Sequence, residues 1–194
     1  MGGEDSAGPP TPLDSAPAME LRADAHIPFP RDVVFAAYRD DIQKVLAYLP
    51  NVRSIEVKSR KDDGPRADLV NIWHGGGEIP AAARAFLSDA MLSWTDYATW
   101  DGDKLTCHWR IETHAFTEAV TCEGMNTFKD DGAGKTLMEM RGAITIDAKK
   151  IKGVPGFLAS KVGRTVEEFL GNKIQPNLVE TAKGLTKYLE QRAK

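Results

Sequence analysis

Several short arrangements in this chain carry residue types that could do chemistry. His74-Gly75-Gly76-Gly77 follows a strand-like run, as the oxyanion loop of a lipase or esterase does. That chemistry also needs a serine on a strained strand-to-helix turn, in the form GxSxG, and the sequence has none. The glycines therefore predict a tight turn. Gly134-Lys135-Thr136 has the ending of a phosphate-binding loop, but Lys129 stands where that motif needs its first glycine, and the triplet falls in a hairpin pattern. His108, Glu112 and His114 share strand parity. At a rise of ~3.3 Å per residue, His108 and Glu112 lie about 13 Å apart, too far for one ion unless a bend intervenes near His114. Neither a metal nor a cofactor is expected.

Two acids are placed differently. Asp96 and Glu118 share the parity of apolar residues on predicted strands, and carboxylates are rarely buried without a partner. They are expected either to pair with a base or to reach water in a cavity.

The elements that would position these groups follow from periodicity. Met19, Leu21, Ala23, Ala25 and Ile27 alternate with polar residues, the pattern of a half-buried strand. After IPFP the spacing turns helical, with Val34, Phe35, Tyr38, Ile42, Leu46 and Leu49 on one broad face, read as two short helices ending at Pro50. Val52 to Ser59 and Ala67 to Trp73 predict a hairpin around KDDGPR. HGGGEIP and a short helix from Ala81 to Ala90 then form an insertion. Strands follow near 92–99, 105–111, 116–128 and 136–146, with turn signals at DGD and DDGAG. Parity puts Trp94, Leu105, Cys107, Trp109, Ile111, Phe116, Val120, Cys122, Met138, Met140, Ile144 and Ile146 on one inner face. A closing helix from Phe157 to Gln191 would be on the order of 50 Å long. That exceeds a domain of this size, so a kink or break is expected at Gly171 or Pro176.

With 194 residues, 42% hydrophobic and 27% charged, the chain has the size and composition of one globular domain. Residues 1–17 are rich in Gly, Pro, Ser and acids and read as a disordered leader, leaving 18–194 as the domain. The leader lacks a basic start and an apolar stretch, so it is not a secretory signal. Cys107 and Cys122 are expected as reduced core thiols in a cytoplasmic protein. From Lys149 onward ten Lys or Arg face four Glu, a balance of +6 against −9 for the first 148 residues. Such a tail could lie transiently on an anionic membrane surface. No basic patch is interleaved with aromatics on the strands, so nucleic acid is not an expected partner.

Together these segments carry a resemblance. IPFPRDVVFAAYRDDIQKVLAYLPNVRSIEV resembles the opening of START-like, polyketide-cyclase-like domains. WTDYATWDGDKLTCHWRIE, CEGMNTFKDDGAGKTLMEMRGAITI and the long tail helix are similar to the later elements of the same helix-grip superfamily. The resemblance covers about Met19 to Gln191. It implies an α+β fold, a curved antiparallel sheet of about seven strands around a C-terminal helix, and a hydrophobic small-molecule ligand such as a lipid, sterol or polyketide.

On that basis Trp94, Asp96, Trp109, Phe116, Glu118, Met138, Met140 and Phe169 are the expected ligand-binding residues, with Phe86, Leu87 and Val162 at the entrance. An empty pocket of about 300–1,000 Å³ would cost on the order of 7–24 kcal/mol, comparable to the whole stability of a domain. A sizeable cavity must therefore be wetted or filled, or be absent. The alternatives are a cyclase or dehydratase acting through Asp96, Glu118, His114 or Tyr97, and a regulatory module at a membrane surface; carriage is preferred to catalysis.

Overall fold

The computed structural model describes residues 18–76, 92–151 and 159–194. Strand β1 (Met19–Ile27) leads through two prolines into helix α1 (Arg31–Asp40), with Pro30 at its N-terminal boundary. Proline fixes φ near the helical value and has no N–H to waste there. Helix α2 (Ile42–Val45) and a 3₁₀ turn (Leu46–Tyr48) follow. The remaining strands are β2 (Val52–Asp63), β3 (Arg66–Gly75), β4 (Ser93–Asp101), β5 (Thr106–Thr113), β6 (Val120–Asp130) and β7 (Thr136–Ile146). A 3₁₀ turn (Ala148–Lys150) precedes helix α3 (Ala159–Arg192).

The seven strands form one antiparallel sheet in the order β1-β7-β6-β5-β4-β3-β2. Gly134-Lys135-Thr136 closes the β6–β7 hairpin, where Gly132 and Gly134 take φ of 87° and 69°. This is a turn that glycine makes at no steric cost. The inserted segment leaves between β3 and β4, since His74 pairs with Ser93. Its residues 77–91, including Phe86 and Leu87, lie outside the described ones, as do the leader and the first residues of the predicted tail helix.

Two expectations are corrected. Strand β6 starts at Val120 rather than Phe116. Phe116 instead adopts a φ of 58°, and its carbonyl accepts the N–H of Ala119 at 2.8 Å and of Val120 at 3.2 Å. A left-handed residue cannot continue a strand, so parity counted from Phe116 fails for Glu118, which is exposed on the turn. Of the kink or break expected at Gly171 or Pro176, a break is absent, for α3 continues through both. Proline there forfeits one backbone hydrogen bond, a local loss that tertiary packing of the helix can offset.

That packing is firm at the C-terminal end. Ala182, Leu185, Tyr188 and Leu189 are buried, and α3 packs against β1, β7, α1, α2 and the 3₁₀ turn after α2. Gly184 allows the close approach, because a Cβ there would stand 2.6 Å from Leu49 Cδ2. Asp41 then clasps the helix. Its carboxylate accepts Tyr188 Oη at 2.9 Å, Arg192 Nη1 at 3.0 Å and Lys44 Nζ at 2.7 Å. Among the described residues no helix is long and apolar enough to cross a membrane.

Burial works to raise the Asp41 pKa, but its hydrogen bonds and the neighbouring cations outweigh it and hold the carboxyl below the usual range. The clasp is therefore fully present above the ordinary carboxylate pKa and is lost as pH falls through the lowered one. Asp41→Ala is expected to cost about 1–3 kcal/mol in urea unfolding at neutral pH. The difference from wild type should shrink as pH falls below the ordinary carboxylate range, and an undiminished difference in strong acid would contradict the clasp.

Candidate functional site

The inner face of the sheet is apolar at its ends and polar between them. At one end Phe35 and Tyr38 of α1 pack edge-on to Trp100, at centroid distances of 5.3 and 5.2 Å, and Phe35 meets Phe128 at 5.4 Å. These rings close that end as a solid plug. At the opposite end Trp73 and Trp94, which pair across β3 and β4, stack at 5.8 Å with an interplanar angle of 14°. The connection between β3 and β4 leaves from this same end, beside the turn that holds Phe116.

Asp96 lies between these two layers. It is two residues from Trp94 on β4, so both point to the same face. It pairs with Asn71 on β3 and with Ile111 on β5. Burial pushes its pKa up to about 6, against the smaller opposing influence of Asn71 and Trp73. Asn71 is 4% exposed, and its Oδ1 has no hydrogen-bond partner. The indole Nε1 atoms of Trp73 and Trp100 are likewise buried without one. The Asn71 amide and the Trp73 N–H are directed at the Asp96 carboxyl and hold its pKa down in part. Such orphaned groups each cost on the order of 1–3 kcal/mol, so three on neighbouring strands need a reason.

Tyr38 and Asn126 extend the polar zone. Burial first, and then the charges of Asp96 and Cys107, push the Tyr38 hydroxyl well above its usual range, while Asn126 acts the other way. Asn126 also accepts the Trp109 Nε1–H at 3.0 Å. Trp109 lies across Gly124 and Gly142, where a Cβ on either glycine would collide with its ring. Those glycines make the room that lets the indole lie flat on β6 and β7. Cys107 is raised by burial and by Asp96 and stays a neutral thiol.

The structure places Trp94, Asp96, Trp109, Met138 and Met140 on the inner face, with both methionines fully buried in the core wall. Phe116 is half-buried on its turn and Glu118 is exposed, so the structure does not bring Glu118 to the others. The side chains of Phe169 and Val162 on α3 lie outside the described residues. His114 and Tyr97 are drawn away from the site. His114 bonds Ser93 Oγ at 2.7 Å and Thr95 Oγ1 at 2.9 Å, on the opposite parity from Asp96, and Tyr97 carries the Arg110 guanidinium 4.1 Å above its ring. Among the described residues no cluster could hold a metal. Tyr38, Asn71 and Asn126 are the site residues that sequence reasoning missed.

A closing helix lying on the inner face of a seven-stranded antiparallel sheet, with two short helices between the first strands, decides the architecture. The chain has the helix-grip fold. No family model and no curated protein matches it. Solved structures do. A Thermus thermophilus protein is similar with a TM-score of 0.65 at 19% identity, covering 91% of this chain and 100% of that one. An aromatase/cyclase from Streptomyces sp. R1128 has a TM-score of 0.66 at 15% identity, covering 91% and 96%. Norcoclaurine synthase from Thalictrum flavum has 0.62 at 11% identity, covering 92% and 98%. The expected helix-grip architecture is thus present, and Asp96 stands on the sheet face that faces the helix side.

A raised carboxyl has a measurable consequence. The folded state keeps its proton to higher pH than the unfolded chain, so ionisation destabilises the fold as pH rises from the ordinary carboxylate value to about 6. Asp96→Asn is expected to leave stability unchanged near pH 3 and to raise it by on the order of 2–3 kcal/mol at pH 7. Loss of stability at pH 7 in that variant would contradict the assignment.

Proposed function

We propose that the protein binds a small, largely apolar organic molecule on the inner face of its sheet, with Asp96 taking a polar group of that molecule. One observation carries the reading: an acid, an orphaned amide oxygen and an orphaned indole N–H sit between two aromatic layers. Among the described residues the strands that α3 packs on are β1 and β7, and the polar zone belongs to β3 and β4. Trp94, Trp109, Phe116, Met138 and Met140 suit an irregular apolar guest, since aromatic rings offer broad faces and methionine adapts its shape. A protein that retains a destabilising acid and unpaired polar atoms inside its fold does so where function requires them.

An enzymatic reading has specific support as well. Asp96 is pushed up to about 6, close to the value a general acid or base needs at neutral pH, and its charge is felt by the Tyr38 hydroxyl. The similar solved structure named as an aromatase/cyclase favours a cyclisation or dehydration of a polyketide-like substrate on this reading. Binding precedes either role.

The full chain titrated with the neutral fluorophore 2-(1-naphthyl)ethanol is expected to show saturable one-to-one uptake, with tryptophan emission quenched and a Kd of about 1–100 μM. Native mass spectrometry after exposure to a lipophilic extract should also show a retained molecule. Linear, unsaturable response together with an empty protein in the mass spectrum would defeat the binding reading.

A further inference from the structure

We infer that the Asp63–Gly64 step at the tip of the β2–β3 hairpin is a site of spontaneous covalent modification, where aspartate isomerises to isoaspartate faster than at the other Asp-Gly steps of the folded chain. The step lies at the far end of β3 from the Trp73–Trp94 pair, so the inference is independent of the binding reading.

The sequence has three Asp-Gly steps, Asp63–Gly64, Asp101–Gly102 and Asp131–Gly132, and the antiparallel sheet gathers them in three hairpin turns at one end. All three share one reaction. The glycine nitrogen, unshielded by a side chain, attacks the aspartate Cγ. A carbon–nitrogen bond forms, the carboxyl OH and the amide proton leave as water, and a five-membered succinimide results. Water then opens the ring. Cleavage between that nitrogen and the original main-chain carbonyl leaves the chain running through Cβ and Cγ and frees the old carbonyl as a carboxylate. Water is the only other reactant.

The turns differ in what already holds the two reacting groups. The Gly102 N–H donates to the Pro65 carbonyl at 2.8 Å, and Asp101 Oδ1 accepts the N–H groups of Asp103 and Lys104, each at 3.1 Å. The Gly132 N–H donates to Asp130 Oδ1 at 2.7 Å, and Asp131 Oδ1 accepts the N–H of Ala133 at 3.0 Å and of Lys135 at 3.3 Å. Attack at either step must first release such bonds. The same bonds, led by the Lys104 N–H at Asp101 and the Ala133 N–H at Asp131, hold both carboxyls below the usual range. The neutral acid that loses its OH is therefore scarcer there.

At Asp63–Gly64 neither group is held. Among the described residues no hydrogen bond engages the Gly64 N–H, and neither a hydrogen bond nor an ion pair engages the exposed Asp63 carboxylate. Gly64 has a φ of 57°, and a Cβ there would meet nothing within 4 Å, so the step lies in open space. Exposed loop tips are where chemical change concentrates. Isomerisation inserts one carbon into the backbone at Asp63, which with Arg66 forms the last pair of the β2–β3 ladder, and loosens the adjoining Pro65 carbonyl from Gly102.

The test incubates the full chain for weeks at neutral pH and physiological temperature, folded in buffer and unfolded in guanidinium chloride. Isoaspartate at each step is then measured in digests by electron-transfer fragmentation. In the folded protein Asp63 is expected to isomerise at least about tenfold faster than Asp101 and Asp131, the factor for freeing one hydrogen-bonded carboxylate. In the unfolded chain, where those bonds are gone, the three rates should converge. Asp63→Glu, a change at an exposed position, should remove the signal from that turn alone. A folded-state rate at Asp63 no higher than at the other two steps, or a ranking that unfolding leaves unchanged, overturns the proposal.

Discussion

An ionisable carboxyl inside a protein, with no cation beside it among the described residues, must be reconciled with the rest of the structure. Asp96 is such a group: burial raises it to about 6, and Asn71 and Trp73 compensate only in part. Replacing it with a neutral or apolar residue would be the simplest route to a more stable core. Its position is set by strand pairing, since β3, β4 and β5 lock Asn71, Asp96 and Ile111 into one row. The pleat that turns Trp94 inward turns Asp96 inward as well.

The remaining architecture frames that row. The aromatic plug of Phe35, Tyr38, Trp100 and Phe128 fills one end. Gly124 and Gly142 let Trp109 lie flat against β6 and β7, where it pairs with Asn126 and thickens the wall by one ring. Helix α3 is drawn to the other flank. Gly184 brings it close to the α2 region, and the Asp41 clasp with Tyr188, Arg192 and Lys44 fixes its C-terminal end. Part of the tail's positive charge is thus used in ion pairs, as Arg192 meets Asp41 and Lys183 meets Glu180.

Much of this is legible in the residues. Period-two alternation in Met19–Ile27 and the inward parity of Trp109, Met138 and Met140 hold in the folded chain, because one buried face forces that pattern. Asp96 is recognisable as an acid at an apolar position. Glu118 misleads because the strand count runs through Phe116, and no propensity marks a phenylalanine for a left-handed turn. Tyr38 reads as one more apolar residue on a helix face. Its hydroxyl is the available signal, since a tyrosine facing a core needs a partner there. Asn71 and Asn126 stand at inward parity, and an amide at such a position is as informative as an acid. The long helix through Pro176 depends on tertiary contacts that local sequence does not display.

The most direct measurement is the titration of the Asp96 side-chain carboxyl by carbon-13 NMR in the ligand-free protein, with Asp96→Asn used to assign the resonance. An inflection near 6 is the expected result, accompanied by no comparable shift for Asp41 above the ordinary carboxylate range. An Asp96 resonance that titrates at or below the ordinary carboxylate value of about 3.9 would mean that water or a hidden cation already satisfies the charge, and would contradict the account.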